Sequence, residues 1–181
     1  MKSFRLLVLL CLVLLAGCSR DPNVRKQKYF ESGQRYFEKG KYREAAIQFG
    51  NAVQVDPHFG KAHYQLAQTH LKLQDWSRAY QELNRTIDVD PTNTAAHLDI
   101  ANLLIAGRQF PEALHHLDVV QSKEPANPEL HVALANLNAA QNNLGAALQE
   151  MKKAIELGPN RAESYLELAL LQLRANDAES A

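Results

Sequence analysis

Cysteine is almost missing from this chain: in 181 residues only Cys11 and Cys18 occur. That excludes a disulfide-stapled framework and a thiolate metal cluster. Excess charge of either sign is missing too, because 20 basic residues balance 20 acidic ones, so no basic field invites nucleic acid or anionic lipid. No His-Glu-x-x-His or Cys-x-x-Cys spacing occurs, no glycine-rich phosphate loop precedes a helix signal, and no nucleophile stands beside a base. No apolar run approaches the roughly 20 residues needed to cross a bilayer as a helix. Little in the chain points to chemistry, cofactors or metals.

What is present is repetition. Pro57, Pro91, Pro125 and Pro159 recur every 34 residues, as do Ala45, Ala79, Ala113 and Ala147. Counting the proline as position 32, the units run 26–59, 60–93, 94–127 and 128–161, with a partial fifth over 162–181. Position 8 holds Gly33, Ala67, Ala101, Ala135 and Ala169; position 20 holds the alanines above and Ala181; position 24 holds Phe49, Leu83, Leu117 and Met151. Small residues at positions 8 and 20 suit two helices that cross within about 8–10 Å. Leu66, Ala67, His70 and Leu71, then Ala79, Tyr80, Leu83 and Ile87, follow the i, i+3, i+4 spacing of buried helical stripes. Each proline disfavours an α conformation in the residue before it, so Asp56, Asp90, Glu124 and Gly158 should end the second helix of each unit.

The pattern resembles the tetratricopeptide repeat, TPR, from about Lys26 onward. The family's position 7 is matched by Leu66, Ile100, Leu134 and Leu168, with Ser32 the departure, and its aromatic position 4 holds Tyr29, His63, His97, His131 and Tyr165. The resemblance implies an all-α, right-handed superhelix of antiparallel helix pairs, an α-solenoid. It also implies that partners bind a concave face lined by positions 2, 5, 6, 9, 12 and 13 of each first helix. The partner-binding candidates are therefore Phe30, Gln34, Tyr64, Gln68, Leu98, Asn102, Val132 and Asn136. Gln34, Gln68, Asn102 and Asn136 would form an amide ladder able to pair with an extended peptide, or they are polar residues tolerated on a wet face. The carboxylate clamp of chaperone-binding members is not matched, since Phe30, Gln34, Gln65, Ala95 and Asp99 stand in its places. His63, His97 and His131 share position 4, where imidazoles on successive helices read as packing better than as metal ligands. Tyr42, Trp76 and Phe110 at position 17 read as inter-helix packing, and His115-His116 as a solvated pair.

The first residues differ in kind. Lys2 and Arg5 precede the apolar run Leu6 to Leu15, and Leu15-Ala16-Gly17-Cys18 is similar to the lipobox of bacterial lipoprotein signal peptides. That likeness implies a signal peptide over 1–17, removal of Cys11 with it, lipidation of Cys18 and a tether over 18–25. Ser19 in place of aspartate favours the outer membrane over the inner. The fifth unit reads as a first helix followed by a truncated second, an uncapped end that invites further repeats or a partner. The expected function is a membrane-anchored interaction scaffold in envelope assembly, secretion or export, and not an enzyme; a structural spacer or self-assembling array is the alternative. The stretch Ala45 to Pro57, AAIQFGNAVQVDP, looks most like the exosortase-linked TPR lipoproteins.

Overall fold

A computed structural model describes residues 21–179, so the predicted signal peptide, the lipidation site Cys18 and the position-20 residue Ala181 lie outside the described residues. Among those described, the secondary structure is entirely helical: α1 Pro22–Glu38, α2 Tyr42–Val55, α3 Gly60–Lys72, α4 Trp76–Val89, α5 Thr94–Ala106, α6 Phe110–Lys123, α7 Pro128–Ala140, α8 Leu144–Leu157 and α9 Ala162–Glu179. Two compact units result, one ending at Pro91 and one beginning at Thr92. In the first, α1 packs on α2, α2 on α3 and α3 on α4; in the second, α5 pairs with α6, α7 with α8, and α9 packs on α8.

The helices stop where the prolines predicted. Asp56, Asp90, Glu124 and Gly158 are the C-caps of α2, α4, α6 and α8, all with φ between −141° and −132°. That extended geometry is what a following proline ring imposes. The turns inside the repeats are equally regular. At position 15, Gly40, Gln74, Arg108 and Asn142 all take φ of 58–70°. The N–H of each donates to the carbonyl of position 12, and the next N–H donates to position 11: Lys41 to Tyr36, Asp75 to His70, Gln109 to Leu104, and Asn143 to Asn138, at 2.8–2.9 Å. These two bonds are the Schellman closure of a helix C-terminus. In the third repeat the left-handed residue is Arg108, and the preceding Gly107 has φ −78° and lies outside that region.

Two expectations about the ends are corrected. The first helix begins at Pro22, not after a tether reaching residue 25, because Asp21 accepts from the Asn23 N–H at 2.8 Å and Pro22 occupies the first turn, where its missing N–H is no loss. At the other end, α9 runs through position 15, Asn176, as one continuous helix to Glu179, with no turn into a second helix.

Cores are built from positions 8, 20, 24 and 27. Ala45, Phe49 and Ala52 in α2, and Ala147, Met151 and Ala154 in α8, are wholly inaccessible, as are Ala79, Leu83 and Thr86 in α4. Each large apolar side chain so buried contributes about 1.5–3 kcal/mol. In the first repeat the large residue at position 24 is Phe49, and a Cβ on Gly33 would come within 2.6 Å of its ring. Elsewhere position 8 is alanine and position 24 is Leu83, Leu117 or Met151. Glycine and phenylalanine therefore share the space that alanine and leucine share in later repeats.

Candidate partner-binding face

The first helix of each repeat carries the candidate residues, and burial sorts them. In the unit ending at Pro91, Phe30 is only 8% exposed, with its ring tilted against Phe49 and Phe59 at 5.6 and 5.2 Å. It is part of the core and presents little to a partner. Gln34, Tyr64 and Gln68 are half-buried, and Tyr64 and Gln68 already engage neighbours. In the unit beginning at Thr92, Leu98 is buried and Val132 half-buried, while Asn102 and Asn136 are exposed. Position 9 is thus the accessible member of the set in that unit. On α9 the same register is apolar and open: Leu166, Leu170 and Leu173 are 63%, 57% and 62% exposed.

Position 4 turns out to be polar architecture. His63 is buried, its Nδ1 2.6 Å from the Glu82 carboxylate and its Nε2 3.0 Å from the Pro57 carbonyl oxygen. His131 repeats this with Glu150 at 2.7 Å and Pro125 at 3.1 Å. A ring that donates from both nitrogens satisfies both acceptors and pins the chain at the repeat boundary to the helix pair that follows. Burial opposes the charged form of His63, but the Glu82 carboxylate and the Pro57 carbonyl outweigh it and hold the pKa above the ordinary value. In the third repeat the residue opposite is itself an imidazole: His97 Nδ1 lies 2.8 Å from His116 Nδ1.

The packing expected of the histidine row is observed, but its partners at position 23, Glu82, His116 and Glu150, were missed. The signal was there, because Glu82 and Glu150 hold the same register two repeats apart. His116 is half-buried and paired, unlike the solvated residue expected, whereas His115 is exposed. At position 17 the packing reading fits Tyr42, which meets Phe37 edge-on at 5.3 Å, and fails for Trp76, which is 55% exposed.

The repeat junctions leave little free chemistry. An open hollow of about 570 Å³ is lined by Glu124, Asn127, Glu129 and Arg161 among others. Its polar groups satisfy one another: Glu124 accepts from Thr94 Oγ1 and Asn127 Nδ2, each at 2.7 Å, and Arg161 donates to Glu129 at 3.0 Å. Among the described residues, no group of three or more His, Cys, Asp or Glu side chains is placed to hold a metal ion, and no helix is long and apolar enough to cross a membrane.

Family models of the tetratricopeptide repeat match residues 36–88 and 98–162. The chain is a tetratricopeptide repeat protein. Solved structures agree on the fold. MamA 41-end from Desulfovibrio magneticus RS-1 superposes with a TM-score of 0.73 at 20% identity, over 86% of this chain and 88% of that one. PilF of Pseudomonas aeruginosa gives 0.72 at 19%, over 86% and 71%. YrrB, described as a TPR protein with an unusual peptide-binding site, gives 0.68 at 21%, over 92% and 87%. At such identities the likeness speaks for the fold alone. No curated protein matches the sequence. TPR proteins generally mediate protein–protein interactions and are typically non-catalytic, so the exposed amides of this TPR protein are the groups to consider for contact with a partner.

Proposed function

We propose that this TPR protein is a lipid-anchored scaffold of the bacterial cell envelope, facing the periplasm, that holds a protein or peptide partner during envelope assembly, secretion or export. The observation that carries the binding half is the exposure of Asn102 and Asn136 at one register of α5 and α7, where the neighbouring Leu98, Ile105 and Ala139 are buried. An amide both donates and accepts, so a row of them suits the alternating N–H and C=O groups of an extended peptide. YrrB supports the same reading by analogy. The anchoring half rests on Leu15-Ala16-Gly17-Cys18, with Cys18 as the lipidated residue and Ser19 favouring the outer membrane. Because α1 already begins at Pro22, only a few residues would separate the lipidated Cys18 from the first helix.

Two experiments separate the halves. Pull-downs from detergent-solubilised envelopes compare the wild type with Asn102→Ala/Asn136→Ala: loss of one discrete partner supports the scaffold, and an unchanged set of partners overturns it in favour of a spacer. Fractionation of Cys18→Ser tests the anchor, which predicts release from the membrane fraction; retention would contradict it.

A further inference from the structure

Three of the four complete repeats place histidine at position 4, yet only two of them face it with a carboxylate. In repeats 2 and 4 the partner at position 23 is Glu82 or Glu150, an acceptor whatever the histidine's charge at neutral pH. In repeat 3 the partner is His116, with the two Nδ1 atoms 2.8 Å apart. Such a contact is a hydrogen bond only while one Nδ1 carries a proton and the other offers its lone pair. One proton added to the pair is tolerated, because an imidazolium donates well to a neutral ring. A second converts the bond into two cations at contact distance. The helix pair α5–α6 is therefore closed by a bond that acid destroys, where its neighbours are closed by bonds that acid preserves.

We propose that the His97–His116 contact makes the helix pair α5–α6 an acid-sensitive joint of this TPR protein, loosening as the Nδ1–Nδ1 hydrogen bond is lost to added protons while α7–α8 stays closed. His97 makes a further contact of its own. The groups acting on His116 are burial first, then His97 on α5 and His115 on its own helix, whose ring centroid lies 5.7 Å away; together they lower its pKa to about 4. The acidic residues of α6, Glu112 and Asp118, are exposed, and neither acts on His116. Asp99, on α5, has an interaction of its own and is not among the groups acting on His116. From α7, which packs on both helices, His131 is turned to Glu150 and the Pro125 carbonyl, and Glu129 is paired with Arg161. A folded value below the ordinary 6.5 means that the open form binds the extra proton more readily. The closed joint is fully favoured above about pH 6.5 and progressively disfavoured from there down to about pH 4. The inference rests on packing geometry and holds whether or not the chain is membrane-tethered; its consequence is that acidification would reshape the helix bearing Asn102.

The test is hydrogen exchange on the full chain at pH 7.5 and pH 5, corrected for intrinsic rates, with α7 and α8 as the internal reference. Exchange in α5 and α6 should rise about tenfold relative to that reference on acidification. In His116→Glu, which restores the pairing of repeats 2 and 4, the relative rise should vanish. In His116→Gln, which keeps a polar but non-titrating partner, it should also vanish, so one poorly folding variant leaves the other to decide. Equal responses of the two helix pairs in the wild type, or an acid response that survives in a folded variant, would overturn the proposal.

Discussion

Replacing Gly33 with alanine inside α1 should destabilise the first repeat, although the same change at an ordinary helical glycine stabilises. Helix propensity favours alanine by about 1 kcal/mol. Against it stands the Phe49 ring, two of whose carbons would lie 2.6 Å from the new Cβ. The ring has nowhere to retreat, since Phe49 is fully buried and Phe30 packs against it. Overpacking of a tight core costs about 1–3 kcal/mol, so Gly33→Ala should be destabilising by up to about 2 kcal/mol. Phe49→Leu alone opens a void and should cost about 1–2 kcal/mol. Together the two changes recreate the alanine and leucine of repeats 2 and 3, and the double variant should be more stable than the sum of the singles by about 1–3 kcal/mol. Because the chain forms two units, the cycle is best read locally, from exchange protection of α1 and α2 amides. Additivity within about 0.5 kcal/mol would refute the claim that positions 8 and 24 share one space.

Other outcomes follow from the turns and the histidines. Arg108→Gly or Gln74→Gly should raise stability by up to about 1 kcal/mol, and Gly40→Ala should lower it by about the same, because all three take left-handed backbone at position 15; thermal unfolding midpoints check this. For His63, whose folded pKa is raised, the stabilising contact with Glu82 is fully present below about pH 6.5 and lost as pH rises through the folded value, so exchange at the α3–α4 contact should increase from pH 6 to pH 8. In Glu82→Gln that pH dependence should be much reduced. Asn102→Ala and Asn136→Ala should each change stability by less than about 0.5 kcal/mol, since both residues are exposed, so any loss of binding they cause is not a folding defect.

The parts of the fold written into single residue types were legible. Prolines at a strict 34-residue interval located every second-helix stop, and small residues at positions 8 and 20 located the helix crossings. The left-handed turn residues were less so, because only Gly40 and Asn142 are types that favour that backbone; Gln74 and Arg108 adopt it because the Schellman bonds and the returning helix outweigh the local preference. The start of α1 could have been read from Asp21-Pro22, a capping residue followed by proline. The site was legible to the level of register and no further: position 5 reads alike whether it lines a groove or a seam, and only packing decides that Phe30 and Leu98 are buried while Asn102 and Asn136 are open. The His97–His116 contact escaped notice because it needs two helices brought together, and only the register that His116 shares with Glu82 and Glu150 hints at it.

The scaffold claim is tested most directly by placing a photo-crosslinking amino acid, one position at a time, at Asn102 and Asn136 on the first helices and at Ile47, an exposed residue on a second helix, and irradiating intact cells. Discrete protein adducts at 102 and 136 with none at 47 are the predicted result. Adducts at 47 with silence at 102 and 136 would contradict it.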